Sequence, residues 1–196
     1  GGGGDFEKAK TGMQAAVCIA VIDLGTHPNT HPQAKAGSKK REVMIVWELG
    51  QKMTEGDYAG RPFAVNKRYT LSIGEKANLR KHLKSWRGSD FTDAELANFE
   101  LKKILGKGCL LNLVESKSGK YTNVDNVNPM MEGTTTLTPE ADLIDFSIDE
   151  IGSGDWDKLW PWVQKIVLDS EEGRKSGVKF EEKTSTDNKS SFETPF

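Results

Sequence analysis

The chain has 196 residues, with 27 Lys and Arg against 29 Asp and Glu and 36% apolar residues, which is enough for one well-cored domain with appendages and too little for two large ones. Its longest apolar stretch, Gln14 to Leu24, is too short and too interrupted to span a bilayer, and no cationic-then-apolar leader pattern opens the chain, so a soluble cytoplasmic protein is expected. Charge is uneven: residues 1–130 carry 20 Lys and Arg against 14 Asp and Glu, whereas residues 131–196 carry 7 against 15, which suggests a body that meets polyanions, or else a solvated surface with no partner.

Residues 1–12 open on four glycines and are expected to be flexible. Met13 to Leu24 is β-prone and predicts a first strand, followed by a loop rich in Pro, Gly, Asn and Ser that ends in Lys39, Lys40 and Arg41. Glu42 to Leu49 predicts a second strand, and the glycine-punctuated stretch Gly50 to Gly60 a mobile hairpin loop. From Phe63 to Ile73 apolar and polar residues alternate, the period of a half-buried strand. After Gly74 the period becomes helical: Leu79, Leu83 and Trp86 recur on one face, Arg80, Lys81, Lys84 and Arg87 fill the rest, and Gly88 is placed to cap the helix.

A second helix is predicted between Phe91 and Leu105, with Thr92 as N-cap and Glu95 completing a capping box. Gly108 to Ser116 and Lys120 to Val127 then predict a hairpin. Residues 13–130 therefore read as three strands, a helical connection and two strands. That is the element order of an OB-fold, a mainly β, five-stranded Greek-key barrel whose strand 2–3 face and flanking loops bind oligonucleotides or oligosaccharides; another small barrel or sandwich with an inserted helical hairpin is the alternative. Residues 131–172 predict a linker, an edge strand at Leu143 to Ile148 and a helix from Pro161, packed on the barrel by Trp156, Trp160 and Trp162. Residues 173–196 are polar and predict a disordered acidic tail. Cys18 and Cys109 fall inside strand runs and read as small buried hydrophobes in a reducing compartment.

Binding of a single strand needs cations for phosphates and flat side chains for bases. Lys39, Lys40, Arg41 and Trp47 around the second strand, Lys67, Arg68 and Tyr69 on the third, Arg80, Lys84 and Arg87 on the helix, and Lys120 with Tyr121 at the last hairpin supply both. Trp47 shares a face with Val43, Ile45 and Leu49, and Tyr69 with Phe63 and Leu71, so both fit a core as well as a stacking platform. His27 and His31 sit four apart in a Pro-containing loop without further ligands at metal spacing. No P-loop, nucleophile elbow or Cys/His signature is present, and no catalytic residue, metal or cofactor is expected.

The runs YTLSIGEKANLRKHLKSWRG, LGKGCLLNLVES with KYTNVDNVNPM, and DKLWPWVQKIVLDS resemble a group of bacteriophage single-stranded DNA-binding proteins of the OB-fold type, over residues 13–170. The resemblance implies non-catalytic, largely sequence-independent binding and protection of single-stranded DNA in phage replication, recombination and repair, in the host cytoplasm. The closing residues Glu193, Thr194, Pro195 and Phe196 are similar to the tails of bacterial single-stranded DNA-binding proteins. That likeness implies a terminal ring and carboxylate that dock on replication or recombination partners, although acids are sparser here. Two competing readings are a phage structural or assembly protein and a metal-dependent nuclease built on Asp142, Asp145, Asp149 and Glu150.

Overall fold

A computed structural model describes residues 7–182 of the chain. Its strands are β1 (Gly12–Pro28), β2 (Lys39–Lys52), β3 (Pro62–Thr70), β4 (Gly108–Glu115), β5 (Thr122–Asn128) and β6 (Ile144–Phe146), and its helices are α1 (Asn78–Arg87), α2 (Asp93–Ala97), α3 (Pro161–Asp169) and α4 (Glu171–Ser176). The strands form one mainly antiparallel sheet in the order β3-β2-β1-β4-β5, with β6 beside β1 in parallel.

β1 organises this sheet because it is long enough to serve several neighbours. Gly12 to Val17 pair with β4, Ala16 to Pro28 pair with β2, and Ala20 to Ile22 take β6 on the edge that β4 has left. Register shifts at Cys18/Ala20 and Asp23/Gly25 mark irregularities of the kind that bend a strand and let it pass from one set of partners to another. At Gly25 the φ is +81°, and a Cβ there would lie 2.6 Å from Ser170 Oγ, so conformation and close approach both demand glycine.

Among the described residues no backbone ladder joins β3 to β5, so the sheet is open rather than a closed five-stranded barrel. Side chains hold the two ends instead. Lys67 Nζ donates to the Val124 carbonyl at 3.0 Å. His82 on α1 lies 2.8 Å from Tyr69 Oη through Nδ1 and interacts with Asp125 of β5 as well. At the other end of β1, residues expected to be flexible form a strap. The Glu7 carboxylate accepts the Thr54 and Glu55 amides at 2.7 and 3.0 Å, Lys8 pairs with Glu115 at 2.8 Å, and Thr122 Oγ1 donates to the Ala9 carbonyl at 2.7 Å.

Each face of the sheet has its own core. On one face Val43, Ile45, Trp47, Leu111, Leu113 and Val127 pack with Leu79 and Leu83 of α1. On the opposite face Ile19, Ile22, Met44 and Val46 are covered by Phe146, Trp156, Leu159, Trp160, Val163 and Val167. The linker that leads there is anchored by the buried Glu48, whose carboxylate accepts the Glu140 and Ala141 amides at 2.8 and 3.0 Å.

Local signals fix several boundaries. Gly88 ends α1 in the left-handed conformation, the Thr92–Glu95 capping box opens α2, and Pro161 opens α3. The helix expected to reach Leu105 stops at Ala97, where the Asn98 side chain donates through Nδ2 to the Ala94 carbonyl; a 3-10 turn at Leu101–Ile104 follows. Where a disordered tail is expected from Gly173, Gly173 is instead buried within α4 and Val178 packs on the second core; residues 183–196 of that expected tail lie outside the described residues.

Candidate nucleic-acid interface

Two aromatics expected as stacking platforms, Trp47 and Tyr69, lie in the core instead. Trp47 is 0% exposed and packs against Trp86 at 6.2 Å between ring centroids, and Tyr69 is 3% exposed with its hydroxyl on His82. Parity explains both: they alternate with Met44, Val46 and Arg68, which point to the other face, and so fall under α1. Neither has a ring face free for a base. Tyr121 keeps 38% exposure, but with Lys120 it sits at the β4–β5 hairpin beside the Gly12 end of β1, whereas Lys39 pairs across from Pro28 at the far end.

Most of the predicted cations already hold a carboxylate. Arg80 and Lys84 share Asp90, at 3.3 and 2.9 Å, and Lys84 first among its partners holds that acid down at about 2. Arg87 does the same for Glu95, also held at about 2, and lies over the Phe91 ring. Three cations of α1 thus meet two acids, so pairing lowers the positive charge of this face without removing it. Arg41 pairs with Asp23 and Lys39 with Glu171. Lys67 points to the β3–β5 seam and lies 5.9 Å from the Tyr69 ring centre.

Arg68 is placed differently. It stands on the face of edge strand β3 that looks toward the C-terminal segment, and it lines an open groove of about 590 Å³ with His27, Lys165, Lys179 and Phe180. Ile166, Leu168 and Val178 supply apolar lining, and Asp169 is the one acid among the lining residues. Lys165 Nζ sits 4.5 Å from the centre of the Phe180 ring, so the aromatic and a cation present themselves together. Arg68 is anchored on Glu42, which also accepts Lys40 at 3.0 Å. Burial pushes the Glu42 carboxyl up, yet the hydrogen bonds from Lys40 and Arg68 outweigh it and leave the group below its ordinary range.

The groove depends on how the C-terminal segment is pinned. The Glu172 carboxylate accepts the Thr26 amide at 2.8 Å and its hydroxyl at 2.7 Å, and Glu171 holds Lys39, so α4 grips both ends of the loop between β1 and β2. Burial raises the Glu172 carboxyl, but the Thr26 bonds dominate and bring it to about 2. Sequence reasoning missed Lys165, Lys179 and Phe180 because they lie in the acidic third of the chain. Their only signal was an aromatic between Lys179 and Glu181 in an otherwise polar run.

His27, expected in a loop, lies in β1 with Nε2 2.8 Å from the Leu24 carbonyl, and His31 Nδ1 accepts the Gln33 backbone amide at 3.2 Å, so both histidines engage nearby backbone. Among the described residues no group of three or more His, Cys, Asp or Glu stands ready to hold a metal ion. Burial raises both thiols, Cys109 to about 12. No helix among the described residues is long and apolar enough to cross a membrane. Glu193, Pro195 and Phe196 lie outside the described residues. Comparison with protein-family models, with curated proteins and with solved structures found no match.

Proposed function

We propose that the chain is a non-catalytic binder of single-stranded nucleic acid, of the OB-fold class. The order β3-β2-β1-β4-β5, with α1 between β3 and β4 and the ends of the sheet bridged by Lys67 and His82, is what that partly open barrel gives when β3 and β5 meet through side chains. Its particular role is the protection of single-stranded DNA in phage replication and recombination, with the residues up to Phe196 recruiting partner proteins in the host cytoplasm. The observation that carries the reading is the groove beside β3, which Arg68, Lys165 and Lys179 line together with Phe180. Cations of this kind meet phosphates and the ring meets a base, neither with regard to sequence.

Fluorescence anisotropy with labelled single-stranded and duplex oligonucleotides over a salt series tests it. Single strands should bind more tightly, with a log–log salt slope of about 0.7 per phosphate contact. Phe180→Ala should lose about 1 to 3 kcal/mol of binding, the range for one stacked base. Duplex binding as tight as single-strand binding would sink the proposal.

A further inference from the structure

The cation that joins the sheet to the groove does not stand alone. Arg68 Nε donates to Glu42 Oε2 at 3.0 Å, and Nη2 donates to the same oxygen. Glu42 Oε1 takes Lys40 Nζ at 3.0 Å, so each carboxylate oxygen is assigned to a different cation. The side chain of Glu42 is 8% exposed whereas that of Arg68 is 40% exposed. A ligand in the groove reaches the guanidinium and not the acid beneath it. The Nε–Nη2 edge is occupied by Glu42, which leaves the Nη1 side of the plane to donate to a phosphate in the paired geometry that arginine favours.

We infer that Glu42 is a positioning residue, which holds Arg68 in the orientation that receives a phosphate of a bound single strand. This rests on the nucleic-acid reading of the groove. Arginine carries among the largest rotamer freedoms of any side chain, and an arginine already fixed by a buried partner loses less of it on binding. Two cations share one acid, so the cluster keeps a net positive charge toward the ligand. The inference runs against simple charge counting: deleting an acid beside a polyanion site ought to tighten binding, whereas deleting a positioning acid loosens it.

The experiment is a double-mutant cycle on the full chain, with labelled oligothymidylate as probe and the melting temperature recorded for each variant. Glu42→Gln should weaken binding roughly two- to tenfold, the cost of ordering one rotamer-rich side chain at the interface. The losses from Glu42→Gln and Arg68→Ala should overlap rather than multiply. Tighter or unchanged binding by Glu42→Gln, or losses that multiply, would overturn the inference. Where Glu42→Gln melts within the assay range, Glu42→Asp replaces it, since it keeps the charge but draws the carboxylate back from Arg68; undiminished affinity there overturns the inference too. Failure of the nucleic-acid reading itself shows earlier, as a wild-type protein with no preference for the single strand.

Discussion

The two halves of the sheet differ in strand length, 14 residues in β2 against 8 in β4, and still more in their surroundings. From Glu42 to Leu49 every residue of β2 is buried, because α1 and its neighbours cover one face and the C-terminal segment covers the other. β4 instead alternates buried and partly exposed residues, with Val114 38% exposed at its end. A strand with both faces covered reads as a continuous apolar run, and any charge in it needs a partner. Both acids of that run have one: Glu42 has Lys40 and Arg68, and Glu48 has two backbone amides. The polar fixtures of the doubly covered half are thus what tie the linker to the sheet and shape the groove.

The largest test of this contrast is Trp47→Ala. A fully buried Trp under α1 should cost about 3 to 5 kcal/mol of stability on truncation, read as a lowered urea midpoint. A folded variant of unchanged stability that loses only DNA affinity would return Trp47 to the role of a stacking platform.

Leu159→Ala addresses the other cover. Leu159 is 2% exposed in the second core, so about 2 to 5 kcal/mol should be lost. Because that core also positions Lys165 and Phe180, affinity should fall in the same variant at temperatures where it remains folded. Lost stability with intact affinity would show that the groove does not need the docked segment.

Much of this half was legible in the sequence, and the exceptions share one cause. The run EVMIVWEL, the alternation from Phe63, which the strand keeps only to Thr70 with Leu71 already 40% exposed, the Thr92–Glu95 box and the Gly88 cap all act within a few residues, so their signals are local. Arg68 was legible as a polar-face cation for the same reason. Its juxtaposition with Lys165, Lys179 and Phe180 was not, because it depends on a segment a hundred residues later crossing β1 and β2. Ion pairing was hidden likewise: nothing in spacing alone assigns Arg80 and Lys84 to Asp90, or Lys39 to Glu171.

A smaller effect tests the seam that stands in for a ladder between β3 and β5. Burial lowers the affinity of His82 for a proton, Lys67 adds to this, and contacts with Asp125 oppose it. The folded chain therefore binds a proton at His82 less readily than the unfolded chain does, so its contribution is complete above about pH 6.5 and is lost as pH falls through the depressed folded value. Wild-type melting temperature should decline over that interval, and His82→Asn should remove part of the decline. A His82→Asn protein whose pH profile matches the wild type would show that the seam does not respond to this group.

The smallest expected effect lies at the end of the chain, and the groove changes where the cut belongs. Removing everything after Gly173 would take away Lys179 and Phe180 with the tail, so the informative truncation ends at Glu182. Residues 183–196 contain Lys183 and Lys189 against Asp187 and Glu193, so their side chains are balanced, and because the shortened chain carries its own terminal carboxylate at Glu182 the cut leaves the net charge unchanged. Long-range interactions of so weakly charged a segment are screened at physiological salt. Affinity for oligothymidylate and the melting temperature should both stay close to the wild type. By likeness to the bacterial tails, deletion of Phe196 alone should abolish capture of replication or repair proteins while leaving DNA binding intact. A truncation at Glu182 that lowers DNA affinity markedly would extend the binding surface beyond the groove, and a Phe196 deletion that keeps every partner would remove the tail from the proposed function.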